Sequence, residues 1–66
     1  MRILINGETR EVAGEMNLRE LLEKLDLPTE RIAVEVNKDV VRKKDWESVK
    51  ISDEDKIEIV HFVGGG

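Results

Sequence analysis

The segment Asn17-Leu18-Arg19-Glu20-Leu21-Leu22-Glu23-Lys24-Leu25 is the one stretch of this 66-residue chain that patterns as a helix able to cover a sheet. Leu18, Leu21, Leu22 and Leu25 recur at i, i+3, i+4 and i+7, which lays one apolar stripe along a helix. Asn17 is a favourable N-cap, and Glu20 three residues on is placed to complete a capping box. Glu20 and Lys24 are spaced for an i,i+4 ion pair on the wet side. Pro28 is expected to end the helix, because a residue before proline is biased out of the helical region. A helix this short is not stable alone and needs a surface to lie on. A leucine stripe also suits a partner helix, but no other helix is available to cover the chain's own sheet. The stripe is therefore assigned to the core.

The rest of the chain supplies strands for that sheet. Arg2-Ile3-Leu4-Ile5 is a short strand, and Asn6-Gly7 is a strong hairpin signal because both residues tolerate the positive φ of a type I′ turn. Glu8-Thr9-Arg10-Glu11-Val12 returns as a polar strand of the kind found at sheet edges. Beyond the helix, Ile32, Val34 and Val36 alternate on one face of a third strand. Asn37-Lys38-Asp39 is read as a turn into Val40-Val41, and Arg42-Lys43-Lys44-Asp45 as a charged link. Trp46 is the only tryptophan and is expected to bury with Val49 and Ile51 at the rim of the sheet. Ser52-Asp53-Glu54-Asp55 is a tight turn, and Lys56 to Val63 a final strand rich in β-branched residues. An α+β fold follows, in the order ββαββ with the final strand last and one helix across a sheet. Strand order does not follow from the pattern.

The final strand runs into Gly64-Gly65-Gly66. With Gly66 read as the C-terminus, no turn or helix cap explains three consecutive glycines. Residues 1–63 are thus expected to form the domain and residues 64–66 a flexible tail carrying the terminal carboxylate. Without Cβ atoms such a tail fits a channel too narrow for side chains. Four residues from Val63 onward reach roughly 13–14 Å when extended. The functional reading is a carboxylate presented to another protein's active site, and the bland one a frayed end.

Composition excludes several other functions. A net charge of −4 gives no basic excess for nucleic acid and suits a basic protein partner better. No cysteine is present, so there is no disulfide, thiolate nucleophile or sulfur-ligated metal. No apolar run is long enough to cross a bilayer, and a cytoplasmic location is expected. His61 is the only histidine, and nothing in its spacing to Ser48 or Ser52 suggests a catalytic triad. The acidic turn at 52–55 lacks the alternation and central glycine of a calcium loop. No glycine-rich loop joins a strand to a helix, which leaves no phosphate cradle. No catalytic residue, metal site or cofactor is predicted, and the chain is not read as an enzyme. Its available chemistry is the terminal carboxylate, which needs activation, as in an acyl-adenylate, before a sulfur nucleophile can displace AMP.

The chain resembles the ThiS-type sulfur carriers of thiamine thiazole synthesis along essentially its whole length. The resemblance rests on Ile3-Leu4-Ile5-Asn6-Gly7-Glu8, Leu18-Arg19-Glu20-Leu21-Leu22, Ile32-Ala33-Val34-Glu35-Val36-Asn37, Trp46, and Ile57-Glu58-Ile59-Val60 followed by the glycines. It implies a β-grasp, ubiquitin-like fold with the last strand central and parallel to the first. It also implies a cycle of modification at the terminal glycine, Gly66. An ATP-using adenylating enzyme like the ubiquitin activators forms the adenylate, and sulfur from a cysteine desulfurase or relay converts it to a thiocarboxylate. Thiazole synthase then receives the sulfur. In this scheme Gly64 and Gly65 thread into the partner's active site, while Phe62 and Val63 contact the partner at the base of the tail.

Three sites depart from the family pattern. Arg42-Lys43 stands where Pro-Arg is frequent, and Lys38 and Glu54 stand where turn glycines are usual. Two alternatives share the fold. One is the small subunit of molybdopterin synthase, which usually ends in a Pro-Pro-containing stretch before its glycines. The other is a ubiquitin-like interaction domain that never uses its tail.

Overall fold

Two hairpins, one helix and a returning strand build a single mixed sheet. The structure is a computed structural model and describes residues 1–62. Strands β1 (Arg2–Ile5) and β2 (Glu8–Glu11) form the first hairpin and α1 (Leu18–Lys24) follows. Strands β3 (Ile32–Val36) and β4 (Asp39–Val41) form the second hairpin, and β5 (Lys56–His61) comes last. The sheet order is β2-β1-β5-β3-β4. The last strand is therefore central, parallel to β1 and antiparallel to β3. This is the β-grasp arrangement, and β2 lies at an edge with every residue exposed, as its charges predict.

Both hairpin turns use asparagine followed by a second residue at positive φ. Asn6 and Gly7 have φ of 50° and 84°, and Asn37 and Lys38 have 52° and 74°. Lysine in that second position is strained, and glycine in its place would not be. Glu54, at φ 71°, is the other residue standing where a turn glycine was expected. Arg2 holds it there, with its Nη2 2.6 Å from Glu54 Oε1. The Arg2 guanidinium is pushed further toward its charged form, mainly by that hydrogen bond and then by the Glu54 charge.

The helix is capped as its sequence predicts. Glu20 N–H donates to Asn17 Oδ1 at 2.8 Å, and Asn17 N–H donates to Glu20 Oε1 at 2.9 Å. That engagement takes the Glu20 carboxylate away from Lys24, and the i,i+4 ion pair is instead Arg19–Glu23 at 3.6 Å. The helix also ends earlier than Pro28. Asp26 adopts φ 56°, Asp26 N–H donates to Glu23 O, and Leu27 N–H donates to Leu22 O. This is a Schellman motif, and it satisfies the last carbonyls before proline can act.

Leu18, Leu21 and Leu22 are fully buried against Ile3 and Ile5 of β1, Val34 and Val36 of β3, and Ile57 of β5. Residues 43–48, expected to begin as a charged link, form a 3-10 helix that carries Trp46 into the core at 1% exposure. Trp46 Nε1–H donates to Val41 O at 3.1 Å, so its polar edge is satisfied inside. Leu18 N–H donates to Val49 O and Ile51 N–H donates to Met16 O, which ties this segment to the start of the helix.

Candidate functional site

The approach to the C-terminus is held by main-chain and asparagine contacts on both sides of β5. In β5 the even-numbered residues turn their backbone groups toward β3. Asn37 N–H donates to Lys56 O at 2.7 Å, and Phe62 N–H donates to Arg31 O at 2.8 Å. The odd-numbered residues face β1, and Asn6 N–H donates to Ile57 O at 2.9 Å. Strand β1 stops at Ile5, but the Asn6 side chain adds one more rung. Its Oδ1 accepts the Ile59 N–H at 2.7 Å, and its Nδ2 donates to Ile59 O at 3.3 Å.

The turn of the second hairpin does the same at the beginning of the strand. Asn37 Oδ1 accepts the Lys56 N–H at 3.0 Å, and its Nδ2 donates to Asp55 Oδ1 at 2.9 Å. Two turn asparagines thus grip the last strand, one at its first residue and one where β1 runs out. Sequence reading identified both as turn formers and missed this second role.

Beyond Asn6 the chain is held by β3 alone. Phe62 continues the pairing past the end of β5 through Arg31, which stands at φ 58° just before β3. The Phe62 side chain is 56% exposed. Val63, Gly64, Gly65 and Gly66 lie outside the described residues, and with them the tail's expected flexibility and the site of modification.

The sheet face opposite the helix carries Glu58, Val60 and Phe62 from the even positions of the chain's last segment. Val60 and Phe62 are 55% and 56% exposed, and Val40 of β4 is 68% exposed. Across the sheet Ala33 opposes Val60, Glu35 opposes Glu58, and Val40 opposes Glu35. Two glutamates therefore stand directly opposite each other, with Val40, Ala33, Val60 and Lys56 as neighbours on that face. Among the described residues neither forms an ion pair, although Lys56 shares their face.

The acidic turn at residues 52–55 is engaged by the fold. Asp53 Oδ1 accepts the Arg2 N–H at 2.7 Å, Asp55 Oδ2 accepts the Ser52 N–H at 2.7 Å, and Glu54 pairs with Arg2. This acidic turn closes on itself and on β1, consistent with reading it as a turn. Among the described residues no three His, Asp or Glu side chains cluster to hold a metal ion. His61 ends β5, exposed. Among them, too, no helix is long and apolar enough to cross a membrane.

Comparison with known proteins agrees with this geometry. The model of the ThiS family matches residues 3–66. The chain belongs to the ThiS family. It is 43% identical over 49 residues to the sulfur carrier protein ThiS of Bacillus subtilis, covering 74% of each. The crystal structure of the thiamine biosynthesis protein ThiS from Geobacter metallireducens superposes with a TM-score of 0.89 at 32% identity, covering all of both chains. A thiazole synthase of Paramagnetospirillum magneticum is 41% identical over 66 residues, which is all of this chain but only 20% of that protein. In that relative a stretch like this ThiS-family chain occurs within a much longer polypeptide.

Proposed function

We propose that this chain is a sulfur carrier for the thiazole ring of thiamine, with Gly66 as its modified residue. The observation that carries the reading is the anchored central strand, which delivers an exposed Phe62 directly into Val63-Gly64-Gly65-Gly66. A carboxylate repels nucleophiles, so it must first attack the α-phosphate of ATP, releasing pyrophosphate. The terminal sulfur of a persulfide then adds to the acyl carbon and AMP leaves. A second thiol on the sulfur donor or adenylating enzyme cleaves the resulting acyl disulfide, forming a disulfide there and releasing the terminal thiocarboxylate. The glycine Cα places no side chain beside the attacked carbon. The ATP chemistry belongs to a partner adenylating enzyme, and the sulfur to a cysteine desulfurase or relay. Gly64 and Gly65 thread the partner's channel while Phe62 and Val63 contact its mouth. Thiazole synthase is the acceptor, in keeping with the names borne by relatives of this chain.

Intact-mass analysis of the protein purified from its own cell tests the carrier reading. Replacement of one terminal oxygen by sulfur is expected, and a chain found only as the unmodified carboxylate under thiamine starvation refutes it. Complementation assigns the pathway. The gene is expected to restore growth to cells lacking their thiamine sulfur carrier. Rescue of molybdenum-cofactor synthesis instead transfers the function to the small subunit of molybdopterin synthase.

A further inference from the structure

We infer that the open sheet face around Glu35 and Glu58 is the docking surface for thiazole synthase, and that it receives a basic side chain of that enzyme between the two carboxylates. The inference rests on the proposed carrier function and adds to it the surface and the chemistry of recognition.

Like charges directly opposed across an antiparallel pair destabilise a sheet. Among the described residues no ion pair involves Glu35 or Glu58, and the cation nearest to them along β5 is Lys56, two residues before Glu58 on the same face. By contrast, the carboxylates of Asp53, Glu54 and Asp55 are all engaged by the fold. The two central glutamates cost stability and do nothing for the sheet, and a lysine or arginine entering from outside reverses that cost. Arginine fits better, because its planar fork can serve both carboxylates at once.

The surroundings supply the apolar part of an interface. Val40 lies beside Glu35 on the next strand, Ala33 and Val60 form the following rung, and Phe62 lies beyond Val60 on the same face. The combination of exposed apolar groups with a central charge pair is suited to a partner that excludes water and brings one opposite charge. Phe62, the last described residue, lies on this face and immediately precedes in sequence the segment that the proposed partner takes up. A stretch similar to this chain also occurs within the longer thiazole synthase of Paramagnetospirillum magneticum, which favours that enzyme as the occupant.

The test is titration calorimetry of the purified chain into the thiazole synthase of its own organism. Glu58→Gln is expected to weaken binding at least about tenfold, as for loss of one member of a desolvated charge pair. It is also expected to raise the melting temperature of the free chain, because a like-charge contact is removed. Glu35→Gln should act in the same two directions, and Val60→Ser should weaken binding through the apolar contact. Glu47→Gln, which removes the same charge from the exposed part of the 3-10 helix, should leave binding unchanged.

Unchanged binding by both glutamate variants overturns the inference, as does equal weakening by Glu47→Gln, which reduces the effect to net charge. Loss of pyrophosphate exchange with the adenylating enzyme, alongside intact binding to the synthase, also overturns it and assigns the face to the other partner. The carrier reading is judged separately, by whether the wild-type thiocarboxylate supports thiazole formation. If it does while the variants bind normally, the docking surface is wrong and the function stands.

Discussion

Replacing Asn6 separates its side-chain rung from its turn. Asn6→Gly keeps a residue at ease at φ 50° and deletes both contacts to Ile59, at 2.7 and 3.3 Å. Each hydrogen bond contributes about 0.5–1.5 kcal/mol net, and the longer one belongs at the lower end, so the loss is about 1–2 kcal/mol. Glycine's extra freedom in the unfolded chain, about 0.4–1 kcal/mol, is offset in part by relief of left-handed strain at Asn6. Asn6→Ala loses the same rung and adds about 1–2 kcal/mol of left-handed strain. For a domain this small each kcal/mol lowers the melting temperature by about 4–8 °C. Thermal melts of the three proteins should therefore rank wild type, glycine and alanine in that order. Amide exchange at Ile59 should accelerate in both variants more than at Leu21 in the helix. A glycine variant melting within about 1 °C of wild type, with Ile59 exchange unchanged, would show that the rung contributes nothing and that Asn6 is only a turn residue.

Leu21→Ala should cost about 2–5 kcal/mol in urea unfolding, because Leu21 is fully buried beneath the sheet. Lys38→Gly should stabilise by about 0.5–1 kcal/mol in the same assay, since relief at φ 74° exceeds the entropy that glycine adds to the unfolded chain. Deleting Gly66 leaves an equally unhindered carboxylate but moves it by about 3.3–3.6 Å, more than an attack over about 3–3.5 Å tolerates. Pyrophosphate exchange with the adenylating enzyme should collapse while the melting temperature holds, and full exchange would show that terminal position is not critical.

What the sequence disclosed depended on how far apart the interacting residues lie. The leucine stripe, the Asn17–Glu20 capping box and the Asn6-Gly7 turn are local, and each stands where its residues predict. The central place of β5 is not local, and only resemblance to a family supplied it. The Asn6 rung joins residues 53 apart and the Arg2–Glu54 pair residues 52 apart, so neither leaves a periodic trace. Trp46 was legible as a buried residue, but a 3-10 helix has too few residues to show a period, and its charged flank reads as a link. At the candidate site, exposed Phe62 follows from its position after the strand. The opposed glutamates do not, because two strands must be set in register before their side chains can be seen to meet.

That register also divides the labour of the last strand. Its backbone is engaged on one side by β3 and on the other by β1 and Asn6, so the strand cannot be withdrawn without opening both halves of the sheet. Its core-facing residues Ile57 and Ile59 pack beneath the helix. Of the remaining side chains, Lys56, Glu58, Val60 and Phe62 lie exposed on the opposite face. Placing the last strand centrally therefore ties it to both halves of the sheet, and freeing it requires opening both. It also leaves one face of that strand exposed. Substitutions at Asn6 or Ile57 should act through stability, and on the proposed docking those at Val60 or Phe62 should act through association and those at Glu58 through both, because the strand's backbone is engaged within the sheet while these side chains face outward.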